Sequence, residues 1–296
     1  MTLNTRIITH EFEYLAPETL DEALQLLNQY SPEAKILAGG TDLVSQMKQQ
    51  KKTPSHVIDI RKIKEMYHME KGDVVRIGAA NKFRTVMEFF RPSIRHAALF
   101  EAIYGIGKTQ VLNMGTIGGN LSNGSPKADT APPLLVFEGR VKLVSKGAER
   151  FVDLKDFFKG FNETVLAPNE IMTEIRFDAF PAKKASAFEK KTRVGADISK
   201  ISCAVAVERS GDVCTSCSIA VGAAGPVPMR LPEAEKVLTG RSIVESLLEK
   251  TARQVAEEIN PPAGGRISAE YRRDLAAVMF KDVFRKAWGR AIGEKK

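Results

Sequence analysis

The sequence predicts an α+β protein of two domains, the second a three-stranded antiparallel sheet with a helical bundle. Strand-like and helix-like segments are interspersed from Glu11 to Asp178, whereas three strand-like segments follow one another from Ser186. From Pro232 onward the apolar residues recur with a helical period. With 296 residues and 43% hydrophobic content, the chain is long enough for two cores. We therefore predict domains at residues 1–178 and 185–296.

The first domain is predicted to begin with a short strand and a helix introduced by Pro17, whose apolar residues Leu20, Leu24 and Leu27 share one face. Asp42 stands where a helix N-cap is expected, before an apolar segment. The predicted strands are 11–15, 34–38, 56–60, 74–80, 141–144 and 170–177, and the predicted helices are those from 17, 43–47, 86–90, 93–104 and 154–161.

The second domain is predicted to follow a linker at 181–184. Its strands are 186–192, 201–208 and 213–221, and the last two are joined by a turn at Ser210-Gly211-Asp212. The segments 232–238, 242–259 and 269–290 carry apolar stripes at helical spacing. This order predicts an antiparallel meander backed by helices.

Two glycine-rich turns, residues 36–43 and 114–121, are the strongest functional signal. A Gly-Gly pair lacks Cβ atoms and readily adopts positive φ, so successive N–H groups can converge on an anion such as a pyrophosphate. Thr41 and Asn120 add hydrogen-bonding side chains. Neither turn has the spacing of a P-loop or a Rossmann turn. The alternative is that each turn is only a tight connection.

Composition limits the class of protein. The net charge of +8 and the pI of about 9.3 raise the possibility of nucleic-acid binding. The basic residues, however, fall in separate short groups without interleaved aromatic residues, so we expect no nucleic-acid partner. No window resembles a membrane span of roughly 18 to 20 apolar residues, and residues 1–10 lack the apolar core of a signal peptide. We therefore expect a cytoplasmic protein.

The cysteines and histidines do not predict a metal site. Cys214 and Cys217 form a Cys-x-x-Cys pair, but only Cys203 remains to join them, whereas zinc and iron–sulfur sites need four ligands. An odd number of cysteines agrees with a reducing compartment. The role of the three cysteines stays open. The four histidines, His10, His56, His68 and His96, are far apart in the sequence, and we expect each to be structural or exposed.

The segments Leu37-Ala38-Gly39-Gly40-Thr41-Asp42-Leu43, Thr116-Ile117-Gly118-Gly119-Asn120-Leu121 and Asp129-Thr130-Ala131-Pro132 resemble the FAD-binding medium subunits of the molybdenum hydroxylases. This family includes the medium subunit of aerobic carbon monoxide dehydrogenase and the flavin part of xanthine dehydrogenase. The resemblance extends through Ala187-Phe188-Glu189-Lys190 and covers nearly the whole chain. It implies a PCMH-type, two-part FAD-binding domain followed by the C-terminal domain of the carbon monoxide dehydrogenase flavoprotein.

The resemblance implies a non-covalent FAD held by both turns, since the first turn has no His or Cys for covalent attachment. The implied cofactor-binding residues are Lys35, Ile36, Leu37, Ala38, Gly39, Gly40, Thr41, Asp42, Ile106, Thr116, Ile117, Gly118, Gly119, Asn120, Asp129, Ile171, Met172 and Lys190. Other roles remain open for some of them. Asp129 suits a helix N-cap, Lys190 stands in a basic run typical of a solvated surface, and Ile106 and Met172 suit a core.

The family resemblance further implies an electron-transfer subunit without catalytic residues of its own. A molybdopterin-binding large subunit would hydroxylate the substrate, a [2Fe–2S] small subunit would relay electrons, and FAD would pass them to NAD or another acceptor. The basic charge would suit docking onto more acidic partner chains. Two alternatives are a self-contained FAD-dependent reductase or oxidase and an assembly factor without cofactor. The substrate, the final acceptor and the stoichiometry are not encoded in recognisable motifs.

Overall fold

The computed structural model describes residues 7–91, 93–262 and 267–291. Residues 1–6 and 292–296, at the outer ends of the two predicted domains, lie outside the described residues. The strands are β1 (Glu13–Leu15), β2 (Ala34–Leu37), β3 (His56–Asp59), β4 (Met69–Glu70), β5 (Val74–Gly78), β6 (Arg140–Ser145), β7 (Ala148–Asp153), β8 (Phe158–Gly160), β9 (Glu163–Thr164), β10 (Ile171–Asp178), β11 (Lys184–Lys191), β12 (Ile201–Ser210), β13 (Val213–Gly222), β14 (Met229–Arg230) and β15 (Arg241–Ser242). The helices are α1 (Leu20–Tyr30), α2 (Leu43–Lys48), α3 (Phe83–Phe90), α4 (Ala97–Tyr104), α5 (Thr109–Met114), α6 (Ile117–Ser122), α7 (Ala131–Val136), α8 (Leu154–Phe157), α9 (Pro232–Leu238), α10 (Glu245–Glu258) and α11 (Ala269–Arg290).

A small parallel sheet begins the first domain, with strand order β1-β3-β2. Helix α1 connects β1 to β2 and starts with a capping box, in which Thr19 and Glu22 satisfy each other's backbone N–H groups. At the carboxyl edge of this sheet Leu37 pairs with Asp59, and the chain leaves β2 directly into the first glycine turn. The turn therefore lies where open parallel sheets commonly bind ligands.

A five-stranded sheet of order β4-β5-β10-β6-β7 forms the second part of this domain. Strand β7 was not predicted, although the two residues before it, Lys146 and Gly147, form a tight hairpin turn in which Gly147 has a φ of 80°. The helix predicted for residues 154–161 ends at Phe157, after which β8 begins. A bulge in β10 between Met172 and Glu174 shifts its pairing with β6.

The sheet of the second domain has five strands, not the three that we predicted. The long strands β11, β12 and β13 follow the predicted meander, while β14 pairs with the far edge of β13 near its end and β15 with its beginning. Both added strands have two residues. Segments of that length are too short to show an alternating pattern, which explains why the sequence did not reveal them.

The long strands of this sheet are buried on both faces. Cys203, Val205 and Val207 of β12 pack beneath the helices of the second domain. The alternate residues Ala204 and Ala206 instead join the hydrophobic core of the first domain. Since successive strand residues point to opposite faces, one strand contributes to both cores. The two domains are thus joined by a continuous apolar interface. No helix among the described residues is long and apolar enough to cross a bilayer.

His96 makes the stability of this core depend on pH. It is buried among the rings of Phe90, Phe137, Phe177 and Phe180. Burial lowers the pKa of His96 from 6.5 to about 4. The unfolded chain therefore binds a proton that the folded chain excludes, and stability present above pH 6.5 is lost as the pH falls toward 4. Between pH 7 and pH 5 we expect this residue to cost about 2 kcal/mol of unfolding free energy.

Urea unfolding at pH 7, 6 and 5 tests this prediction. His96→Leu is expected to remove most of the acid-induced loss of stability, whereas His56→Gln, which changes a histidine outside this aromatic cluster, retains it. An undiminished loss in the His96 variant would assign the acid sensitivity to other groups.

Candidate functional site

The first glycine turn joins β2 to α2 and leaves a row of backbone donors unused. Among the described residues, the N–H groups from Ala38 to Leu43 donate to no acceptor. Gly40 has a φ of +71°, a conformation that favours glycine. Thr41 and Asp42 are exposed to solvent. Several adjacent unpaired N–H groups on an accessible turn are the kind of donor set that can bind an anionic group.

Asp42 occupies the predicted N-cap position of α2, but its carboxylate makes no capping hydrogen bond. Its backbone is helical rather than extended, with φ −95° and ψ −52°. Although the residue as a whole is exposed, partial desolvation of its carboxyl group raises the pKa of Asp42 above its ordinary value. The cap predicted from the residue type is therefore absent, and the donors of the turn remain available.

The two glycine turns are in direct contact. A Cβ atom built on Gly39 would lie 2.0 Å from the carbonyl oxygen of Met114 and 2.9 Å from the Cα of Gly115. The absence of a side chain on Gly39 is therefore what allows the two turns to come into contact. Gln46 of α2 also donates to the side chain of Asn123 at 3.3 Å, which links the helices that follow the two turns. Folding therefore brings the two distant segments to one place.

The second turn uses its donors within the protein, contrary to the prediction of a second row of free N–H groups. Ile117 donates to Asn81 and Gly118 to Ala79. Gly119 donates to the hydroxyl of Thr116, which is the N-cap of α6. Because Gly118 has no side chain, Ala79 can pack directly against its backbone. A Cβ atom added to Gly118 would lie only 2.6 Å from the Cβ of Ala79. This turn is chiefly a packing element that supports the first.

Asn120 is a partly accessible polar side chain of the second turn. It is half-buried, and its Oδ1 accepts a hydrogen bond of 2.6 Å from Thr130. Within the described residues its Nδ2 has no acceptor, so the amide is fixed by Thr130 with two N–H bonds left to donate. Gly119 beside it is exposed. The predicted Thr41 and Asn120 pair thus remains accessible.

Asp129 and Lys190 form a buried ion pair between the domains. Lys190 donates to Asp129 at 2.7 Å, and the side chains are only 10% and 8% exposed. Ser199 donates to the other carboxylate oxygen, and Lys190 also donates to the carbonyl of Asp197 at 3.1 Å. Burial raises the pKa of Asp129, while Lys190 and Ser199 act in the opposite direction. Asp129 is not the N-cap of α7, because that position belongs to Thr130.

Ile106 lies near this ion pair. The preceding residue, Gly105, would place a Cβ 3.2 Å from the Cε of Lys190. Ile106 itself is half-buried and packs against the core of the first domain. The structure therefore places the Gly105–Ile106 segment beside Lys190, the partner of Asp129.

Other predicted residues lie away from the accessible surface of the turns. Ile171 and Met172 are 2% and 4% exposed and belong to the core, with the Met172 sulfur 4.0 Å from the Ser122 hydroxyl beneath the second turn. The ammonium of Lys35 donates to the carbonyl of Pro32 at 3.3 Å, at the opposite end of β2 from Gly39. Among the described residues, no hydrogen bond joins any of these three side chains to the row of free donors.

The remaining predicted residues before the glycines, Ile36, Leu37 and Ala38, lie in or directly after β2, which is an edge strand. The backbone carbonyl of Leu37 accepts a hydrogen bond from Ile60 of the neighbouring segment. The alternate residues Ile36 and Ala38 therefore direct their backbone groups toward the open edge of the sheet.

The sequence did not reveal several residues that contribute to this region: Gln46, Asn123 and Ser199. Their side-chain types are common in loops and helices, so no local pattern indicated them. The N-cap at Thr116, in contrast, could be recognised from the sequence, because threonine is a favoured N-cap residue whose hydroxyl accepts from the N–H three residues later, here that of Gly119.

The cysteines make no metal site in the part of the chain that the structure describes. Cys203, Cys214 and Cys217 are buried free thiols, and no group of three or more His, Cys, Asp or Glu side chains in the described residues is placed to hold a metal ion. Burial raises the pKa of Cys203 to about 12. The candidate site at the two turns therefore consists of backbone donors, neutral polar side chains and the carboxylate of Asp42. The Asp129–Lys190 pair is connected to it through Thr130, the residue after Asp129, which donates to Asn120.

Comparison with known proteins assigns both halves of the chain to described families. Residues 10–179 match the FAD binding domain in molybdopterin dehydrogenase, and residues 186–287 match the CO dehydrogenase flavoprotein C-terminal domain. The chain is 36% identical over 285 residues to the nicotinate dehydrogenase FAD-subunit of Eubacterium barkeri, covering 93% of this chain and 95% of that protein. It is 33% identical to the carbon monoxide dehydrogenase medium chain of Hydrogenophaga pseudoflava, covering 96% and 99%.

The same fold occurs in a solved structure of carbon monoxide dehydrogenase from Hydrogenophaga pseudoflava, a form that lacks the Mo-pyranopterin moiety of its molybdenum cofactor. The TM-score is 0.92 at 34% identity, and the match covers 96% of this chain and 99% of that chain.

Proposed function

The chain belongs to the FAD-binding medium subunits of the molybdenum hydroxylases, and from this membership we propose that it transfers electrons between a [2Fe–2S] partner subunit and an external acceptor. In this proposal a molybdopterin-binding large subunit hydroxylates the substrate. The domains proposed for these tasks are residues 1–178 for FAD and 185–296 for the C-terminal domain. The observation that carries the proposal is the row of unpaired N–H groups from Ala38 to Leu43 at the contact between the turns.

The residues present fit a diphosphate without any lysine. Hydrogen bonds from neutral donors to a charged group contribute about 1.5–3 kcal/mol each, so a few of these N–H groups are enough to hold a pyrophosphate. The exposed Thr41 hydroxyl and the free Nδ2 of Asn120 suit the neighbouring ribose and ribityl oxygens. No His or Cys stands in the first turn, which supports non-covalent binding.

Bound FAD supplies the redox chemistry, because flavins exchange electrons both singly and in pairs. In the proposed site this chain binds and orients the cofactor. Lys190 and Asp129 fix the junction of the two domains beside Ile106, where we place the ring system. The buried alanine-rich face of β12 excludes water from the interface behind them. We assign no proton-transfer or nucleophilic role to any residue of the chain.

The proposed partners follow from the family and from charge. The net charge of +8 supports docking onto more acidic chains that carry molybdopterin and [2Fe–2S] clusters. NAD is one candidate acceptor, since a dinucleotide can stack on an exposed flavin without a Rossmann domain. The substrate would bind to the large subunit.

Two measurements test this function. The purified chain is expected to be yellow, with the absorption spectrum of a flavin that acid releases into the supernatant. Native mass spectrometry of the protein purified from its source is expected to show it in a complex with two other chains. A colourless chain that cannot be loaded with FAD would contradict cofactor binding. Substrate oxidation by the chain alone would favour the self-contained reductase or oxidase instead.

A further inference from the structure

Arg272 is a buried cation without a carboxylate partner among the described residues. It lies in the first turns of α11, and its side chain is part of a residue only 9% exposed. One guanidinium nitrogen donates to the carbonyl of Ala223 at 3.2 Å, and within residues 7–91, 93–262 and 267–291 the Nε has no acceptor. Burying an unpaired charge costs several kcal/mol, so such a group normally has a counter-ion.

Two lysines converge on the same place. Ala223 donates its N–H to the carbonyl of Pro126 at 2.7 Å, which puts Lys127 beside the segment that Arg272 contacts. Ser202 pairs with Gly222 in the sheet, so Lys200, two residues earlier, lies across from the residues that follow Gly222. The backbone register and the hydrogen bonds thus assemble three cations from three separate segments.

The electrostatics agree with this placement. Burial lowers the pKa of Lys127, and the positive charges of Lys200 and Arg272 lower it further, whereas Asp197 acts in the opposite direction. One carboxylate does not neutralise three cations. Asp197 is itself paired with Arg193 at 3.7 Å. The N-terminus of the 22-residue helix α11 adds a partial positive charge on the side of Arg272.

We propose that Arg272, Lys127 and Lys200 form a second anion site that takes a phosphate group, separate from the FAD turns. A small oxyanion suits this site better than a carboxylate on a partner chain, because Arg272 is deeply buried. The planar guanidinium fork matches phosphate oxygens, and the lysines act as point charges at the entrance.

The location gives the ligand a role in electron transfer. Lys127 lies two residues before Asp129, and Lys200 directly follows Ser199, which donates to Asp129. The phosphate would therefore bind beside the ion pair next to which we place the flavin ring. A phosphate-bearing nucleotide that accepts electrons would be anchored here, an assignment that rests on the proposed function. Anion binding itself does not depend on it.

Calorimetric titration of the full chain, with and without FAD, tests the site with inorganic phosphate and with ADP. We expect saturable binding that weakens about tenfold in Lys127→Ala and in Lys200→Ala, as expected for loss of one charge-assisted hydrogen bond. The matched control is Lys146→Ala, which removes an exposed lysine from the hairpin between β6 and β7 and should leave affinity unchanged. Circular dichroism confirms folding of each variant.

The comparison of ligands identifies the source of the phosphate. ADP binding more tightly than phosphate indicates a nucleotide, and equal affinities indicate free phosphate; both outcomes support the site. The proposal is overturned if no saturable binding occurs, if all three variants behave alike, or if phosphate competes with FAD. It is also overturned if the assembled complex blocks the site, since a partner carboxylate would then occupy it. A chain that binds phosphate but not FAD would contradict the proposed function while retaining this site.

Discussion

Gly39→Ala is expected to abolish FAD binding and to destabilise the first domain. The new Cβ would lie 2.0 Å from the Met114 carbonyl oxygen and 2.8 Å from its carbon, and both are backbone atoms that cannot rotate away. The turns would have to separate, which displaces the free N–H groups of the first turn from the second. Overpacking of this kind costs about 3 kcal/mol. The flavin-to-protein absorbance ratio and urea unfolding measure the two effects.

Gly289→Ala is the matched control for this change. Gly289 lies in α11, and an added Cβ there meets no atom within 4 Å. Alanine also has a higher helix propensity than glycine, so the control should keep its FAD content and gain a little stability. A Gly39→Ala protein with wild-type flavin content would show that the close contact of the two turns is not needed for binding.

Lys190→Met is expected to lower the unfolding free energy by about 3–5 kcal/mol, because it leaves the buried Asp129 carboxylate without its cation. The ion pair is 2.7 Å long and almost fully enclosed. Since it joins the domains beside the proposed flavin site, FAD content should fall as well. Urea unfolding of the FAD-free and FAD-loaded chains separates the loss of stability from the loss of binding.

A double-mutant cycle sharpens this prediction. Asp129→Asn combined with Lys190→Met removes both charges, so it should cost less than the sum of the single changes. Lys62→Met is the control, since Lys62 pairs with Glu18 at 3.2 Å where the side chains are 61% and 73% exposed. Its loss should change stability by less than about 1 kcal/mol. Additive effects at Asp129 and Lys190 would contradict a coupled buried pair.

Long periodic segments were predicted well because their pattern is local. Helices α9 and α11 have the predicted bounds, and the three long strands of the second domain agree within a few residues. The two-residue strands β14 and β15 were missed, since their pairing with β13 is a tertiary contact. Helices α5 and α6 were also missed, because the glycines around Thr116 and Gly119 suggested an irregular turn.

The sequence by itself determined the mixed α/β class, the family and the position of the two glycine turns, because apolar periodicity and glycine pairs are properties of neighbouring residues. It did not determine the number of strands in the second sheet, which has five rather than three. Only the tertiary structure decided what each turn does. Gly39 and Gly118 lie at close backbone contacts that a side chain would prevent. In the second turn, Ile117 and Gly118 donate their N–H groups to the carbonyls of Asn81 and Ala79, whereas the N–H groups of the first turn, within the described residues, remain without acceptors. Whether a donor is free depends on which distant acceptor folding brings to it, and that acceptor cannot be read from the local sequence.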